Sequence, residues 1–565
     1  MEKFADIKYE RPDVPKLRKE YRAFIKKLKK AGSLEEADAA VKGMERVVDR
    51  ISTLLAIASI RHGMNTKDAF YAAEKRFFDR SVPRQAMLLK KGTEALLNCR
   101  FRKELEEKYG TMMFKNAESQ LKFLKPSAVL PMIAENRLVN EYFKVTAQCS
   151  VEFRGEACTA RELNRHMQST DREERREAYG AYAKLSEEVS PKLEEIYGKL
   201  LKVRTGLAKK LGFKSYIDFA YRNLQRYDYG PDDVARFRET VRDAVVPVCD
   251  RLYREQAERL GIDKIRFYDE YIAFPDGNAV PEGTPEDLCK KARLMYEDLS
   301  PETGEFFNFM TEYGLFDLSA RKNKIAGAFT DMMPEYKAPF IFSSFNKTAG
   351  DVLVLTHEAG HAFELYHASR CLPHSDLTRS TNEIGEIHSM AMELFTYPYM
   401  EYFFGDSADR FRFSHLCEAL ASLADTVAVD EFQHRVYENP DSTPSDWRKF
   451  WRQIEKKYMP WRDYGGNGFF ESGGFWTRTL HVFACPFYYI EYALAQIDAF
   501  YLYRKAEEGG DAWGDYLKLC SMGGKYGYFE TLEKAGLPNP LKPETVKDAV
   551  KFVEKRIGEL EEKIK

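Results

Sequence analysis

The segment His357-Glu358-Ala359-Gly360-His361 sets two imidazoles four residues apart, with a carboxylate directly after the first. Positions four apart on a helix share a face, so both rings can aim at one point. Glu358 then lies beside that point. A catalytic zinc uses this pattern: nitrogen ligands from the histidines, and an acid that takes a proton from the ion's water and later hands it to a leaving amine. With 10 histidines in 565 residues, chance yields roughly 0.02 such patterns per chain. The bland alternative is a pair of helix-surface histidines that bind nothing. Gly360 leaves a flat patch where a substrate or a sheet can approach.

A catalytic zinc also needs a third protein ligand and an open position. Ser380-Thr381-Asn382 can cap a helix reading EIGEIHSMAMELF. Glu383, Glu386 and Glu393 fall near one face of it, and carboxylates on an otherwise apolar helix are costly to bury without a partner. From composition alone Glu383, Glu386 and His388 are rival ligands. Glu393 is spaced to accept an N–H from a ligand histidine. His367 and His374 read as ordinary surface groups, the latter in a loop after Pro373.

Hydrolysis at a metal creates an oxyanion that wants a second donor. His481, Tyr488, Tyr489 and Tyr492 crowd one short segment. Tyr489 and Tyr492 are three apart, which is one helical face, and a neutral phenol donates without adding charge. Core aromatics with satisfied hydroxyls are the plain alternative. Cys485 lies near His481 but lacks an orienting acid. Cys371, His367 and His374 have no closed zinc-site spacing. The strand Gly327-Ala328-Phe329-Thr330 is a candidate edge for pairing with a peptide backbone. Glycines 465, 466, 468, 473 and 474 lack the phosphate-loop order and read as a flexible rim or a surface loop.

The elements that must position these groups are mostly helices. Apolar residues at helical spacing predict helices over 34–62 and 84–124, the latter broken near Tyr109-Gly110, and again from about 159 to 261. The run Asp171-Arg172-Glu173-Glu174-Arg175-Arg176 reads as a solvated helix start. Residues 142–153 with the turn at Arg154-Gly155-Glu156 predict a short hairpin. Residues 266–285 read as irregular. Strands are expected over 324–330 and 340–345, then helices over 351–370, 382–406, 411–437, 446–459, 475–504 and 541–563. Three regions result: 1–140, 141–320 and 321–565, the last carrying the metal motif.

Composition narrows the partners. The 87 basic and 89 acidic residues leave a formal charge of −2, so nothing favours nucleic acid. Nine dispersed cysteines with no CxxC pair fit a reducing compartment. The first residues hold no apolar signal core, and no apolar run reaches membrane length, so a cytoplasmic protein without membrane contact is expected.

Taken together, GAFTDMMPEYKAPFIFSSFN, HEAGHAF, EIGEIHSMAMELF, DEFQHRVYENP and HVFACPFYYIEYALAQ resemble the oligoendopeptidase F group of the thimet oligopeptidase-like family of zinc metallopeptidases. VEFRGE, DREERREA and LGFKSYIDFAYRNLQRYDYG extend the resemblance over most of the chain. It implies a mostly α, two-lobed helical zincin, with a small β-sheet beside the HExxH helix and a deep substrate channel. It implies Zn2+ held by His357, His361 and Glu386, with Glu393 in the family's second acidic position and Glu358 as general base and acid. It further implies His481 as a substrate contact and Tyr489 and Tyr492 near the scissile carbonyl. The spacing departs from the thimet-type pattern, which leaves the choice among Tyr488, Tyr489 and Tyr492 open. The function so implied is hydrolysis of internal bonds of short peptides by a monomer or small homo-oligomer. A carboxypeptidase or dipeptidase with the same zinc chemistry is the runner-up. A non-catalytic peptide binder would have no need of Glu358.

Overall fold

The computed structural model describes residues 1–81, 85–325 and 327–565. Local signals set the helix ends. Asp13 accepts from the Lys16 amide at the start of Val14–Lys30, and Ser33 accepts from the Glu36 amide at the start of Leu34–Met64. Gly110, at φ 90°, separates Arg102–Tyr109 from Thr111–Phe123, where the sequence reading expects a break. Contacts divide the chain into two compact units, each discontinuous in sequence, whereas the three regions read from the sequence are consecutive. The first unit comprises Met1–Pro126, Pro281–Phe403 and Tyr501–Pro538. The second comprises Ser127–Val280, Phe404–Phe500 and Asn539–Lys565.

The first unit holds the metal-motif helix, Ala349–Cys371, and the glutamate helix, Asn382–Phe395. The metal-motif helix buries Val352, Leu355, Ala359, Ala362, Phe363 and Tyr366, which do not lie on a single narrow stripe. A helix apolar around most of its girth belongs inside a core. Asp351 in its first turn accepts from the amides of Asn346 and Lys347 at 2.8 and 2.7 Å, and Arg370 stands in its last turn. Beside it lies a three-stranded sheet. The central strand, Ala338–Phe342, is buried along its whole length. It pairs in parallel with Phe316–Asp317 and antiparallel with Phe329–Met333, where Thr330 faces Ile341. Both expected strands are therefore displaced. The first begins only at Phe329, after Gly327 at φ 107° and Ala328, while Ala326 lies outside the described residues.

The second unit contains the expected hairpin, Val151–Phe153 with Glu156–Cys158. Arg154 and Gly155 both have positive φ, as a tight two-residue turn requires. Residues 142–148 are not part of it, however: they continue the helix Pro126–Gln148. The 171–176 run does open a helix, Arg172–Leu211, capped by Asp171, and Asp171, Glu173 and Arg176 are exposed as expected, but one member turns inward. Arg175 is buried against Asp269 at 2.8 Å, and Arg172 reaches the same carboxylate at 2.9 Å. A buried carboxylate needs such partners, and its position 94 residues on gives no local warning. The expected helix over 475–504 is broken into Gly474–Arg478, Leu480–Ala484 and Ile490–Glu507. Pro486 and Phe487, the latter at φ 66°, interrupt it. Among the described residues no helix is long and apolar enough to cross a membrane.

Candidate metal centre and its surroundings

The two helices of the first unit bring His357, His361 and Glu386 together, and all three donor atoms lie within 4.8 Å of one another. Each Nε2 stands 3.6 Å from Glu386 Oε2. Tetrahedral zinc with bonds of about 2.1 Å separates its ligand atoms by about 3.4 Å, so the spacing and the donor chemistry both fit that ion. Among the described residues this is the one such cluster. The carboxylate is 3% exposed while the imidazoles are 23% and 24% exposed, which leaves one side open.

Neighbours hold two of the three donors. His357 Nδ1 meets Glu393 Oε1 at 2.6 Å, so Nε2 can present its lone pair to the cluster. Ser389 Oγ lies within hydrogen-bond reach of both the Glu386 backbone carbonyl, at 2.9 Å, and Glu386 Oε2, at 3.1 Å. Burial lowers the His357 pKa, but the hydrogen bond to Glu393 and the charges of Glu393, Glu386 and Glu358 outweigh it and lift the value to about 9. For His361 burial dominates, and the pKa falls below its ordinary value despite Glu386. A set of carboxylates around two imidazoles is a setting for a cation.

Gly360 makes the close approach possible, though not for a substrate or a sheet. A Cβ there would meet the His388 carbonyl oxygen at 2.5 Å and Ser389 Cα at 2.6 Å, so the flat patch receives the backbone of the glutamate helix. Glu358 is buried, and Thr330 of the edge strand donates to its Oε2 at 2.7 Å. Thr330 was read from sequence only as part of a candidate edge, and Ser389 was given no role. Only the strand register and the helix crossing reveal them.

The other candidates go elsewhere in this unit. His388 is fully buried, 3.6 Å from Glu364 and 3.5 Å from the Cys520 thiol, and burial pushes its pKa down to about 3. Glu383 is buried in the first turn of its helix. His367 bonds Ser521 at 3.0 Å. His374 is not a surface group: it is buried near Glu45 at 3.5 Å, its ring edge-on to Tyr109, and it caps the turn Ser375–Leu377.

In the second unit, the break at Pro486-Phe487 folds the chain back so that His481 meets all three tyrosines. Ring centroids lie 5.9, 4.8 and 5.6 Å from Tyr488, Tyr489 and Tyr492, and the Tyr492 hydroxyl is 3.4 Å from Nε2. His481 sits in the short helix Leu480–Ala484, and Tyr489 just precedes the next helix. The left-handed Phe487 is held by its amide on Gln433 and by Arg226 on its carbonyl. Burial, then Asp425, raises the Tyr489 pKa to about 12, keeping the phenol protonated. Within the glycine stretch Gly473 has a packing reason, since a Cβ there would lie 1.9 Å from the Arg448 carbonyl oxygen, whereas Gly466 and Gly468 have open space beside them.

The description of the peptidase family M3 matches residues 165–289 and 302–550, and that of the peptidase M3 N-terminal domain matches residues 4–124. The chain belongs to peptidase family M3. A solved Pz peptidase A with an inhibitor is 42% identical, with 99% of each chain covered and a TM-score of 0.94. Oligopeptidase PepF of Bacillus subtilis (strain 168) is 24% identical over 332 residues, which is 56% of this chain and 47% of that protein. An oligoendopeptidase F homolog of Borreliella burgdorferi is 22% identical over 57% of this chain and 55% of its own. The match thus spans about half the length of these curated relatives.

Proposed function

We propose that this protein is a zinc-dependent endopeptidase that hydrolyses internal bonds of short oligopeptides. The observation that carries the reading is the His357, His361 and Glu386 cluster, with donor spacings of 3.6 Å and Glu358 beside it. These three residues would hold zinc, which supplies polarisation of the scissile carbonyl and acidification of the attacking water. Glu358 accepts the water's proton and returns it to the departing amine. Glu393 holds His357 in the tautomer that ligates. We assign His481, Tyr489 and Tyr492 to stabilising the oxyanion, and Tyr488, Gly327, Ala328 and Phe329 to contacts with the peptide. The roles of His481 and the tyrosines rest on the resemblance, supported by the packing of the three tyrosines around His481, and those of Gly327, Ala328 and Phe329 rest on the reading of that segment as a strand edge open to a peptide backbone. All nine cysteines are free thiols, which supports a reducing, cytoplasmic setting. A monomer or small homo-oligomer is the assembly we propose.

The test is mass-spectrometric mapping of products from peptides of graded length, with free and blocked termini, with and without chelator. Internal cleavage of blocked peptides that stops with chelator is expected. Release only of terminal residues from unblocked peptides would replace this reading with an exopeptidase.

A further inference from the structure

We propose that Thr330 is a positioning residue for Glu358, an inference that rests on the peptidase reading above. The Thr330 hydroxyl lies 2.7 Å from Glu358 Oε2 and 3.1 Å from the Glu358 backbone carbonyl. It has one proton, and the shorter contact to the charged acceptor is the stronger claim on it. Donation to Oε2 occupies that oxygen and leaves Oε1 to receive a proton from water.

Free glutamate is badly suited to this task. Its terminal torsion is broad and roughly two-fold, so nothing in the side chain itself sets the plane of the carboxylate. Thr330 sets it from a fixed base. Its backbone is held opposite Ile341, in a central strand that is buried along its length. Its β-branched side chain has few rotamers to explore. The hydroxyl is therefore carried by the sheet, while the carboxylate is carried by the metal-motif helix. The bond between them registers one against the other. This accounts for a hydroxyl at a half-buried strand position where valine or isoleucine would satisfy packing alone.

The test compares Thr330→Val, which keeps the shape and removes the donor, with Thr330→Ser, which keeps the donor. Both are assayed as zinc-loaded full chains on a blocked peptide that the wild type cleaves. The valine variant is expected to lose about tenfold or more in kcat, with KM within about twofold. The serine variant is expected to stay within about threefold of wild type. Zinc content should equal that of wild type in both. A valine variant with wild-type kcat overturns the proposal, and so does a serine variant that falls as far as valine, because a retained hydroxyl would then not be enough to hold the carboxylate. Thr330→Ala carries the same expectation as valine and decides the case if valine fails to fold. A wild-type chain with no hydrolysis of its own would instead sink the peptidase reading.

Discussion

Replacing Gly360 by alanine perturbs the spacing on which the metal centre depends. The added Cβ would lie 2.5 Å from the His388 carbonyl oxygen and 2.6 Å from Ser389 Cα. Both are backbone atoms, so no side chain can swing aside. Ordinary contact begins at 3.4 Å, so the two helices must part locally by up to 3.4 − 2.5 = 0.9 Å. Carried in full to the donors, that shift stretches the 3.6 Å separations towards 4.5 Å. A tetrahedral ion with a ligand edge of about 4.5 Å would need bonds of about 2.8 Å, far beyond the 2.0–2.2 Å that zinc makes. Relaxation will share the strain, so the expected outcome is a destabilisation of about 1–3 kcal/mol and a zinc affinity at least about tenfold weaker. Competition with a chromophoric chelator and thermal melting of the metal-free chain read the two effects. Gly385→Ala on the facing helix is the control, because a Cβ there meets nothing nearer than 3.9 Å. It should leave affinity unchanged and stability unchanged or slightly raised. Wild-type zinc affinity and wild-type melting in Gly360→Ala would refute the claim that glycine sets the helix approach.

Glu393→Gln should weaken zinc binding about 10- to 100-fold at pH 8, because His357 loses its charged Nδ1 acceptor. Equal chelator resistance in variant and wild type would show that the 2.6 Å contact does not orient the ligand. Glu364 is raised from 4.5 to about 7, chiefly by burial. A raised carboxyl stabilises the fold fully below its unfolded value and loses that contribution as pH climbs through about 7. Glu364→Gln should therefore gain up to about 3 kcal/mol over wild type at pH 8 and almost nothing at pH 4, measured by denaturant unfolding. A gain independent of pH would contradict this.

The metal-motif helix was legible because its signal is local: spacing fixes the face, and the observed helix differs from expectation by only a residue or two at each end. The break at Gly110 and the hairpin turn at Arg154-Gly155 were legible for the same reason. What failed depends on distant partners. Residues 142–148 carry strand-like side chains yet remain helical, since a helix already under way costs less to extend than to end. Arg175 looked solvated until Asp269 was found beneath it. Thr330 was named as part of an edge, but its contact with Glu358 became visible only once the register set it against the helix. Gly360 was noticed as a gap, but its occupant, the backbone of the glutamate helix, is a fact of tertiary packing.

The most direct measurement pairs metal analysis with turnover for wild type and Glu358→Gln. The account predicts one zinc per chain in both, with peptide hydrolysis in the variant reduced by several orders of magnitude. Full hydrolysis by Glu358→Gln, or by wild-type chain stripped of metal, would contradict it.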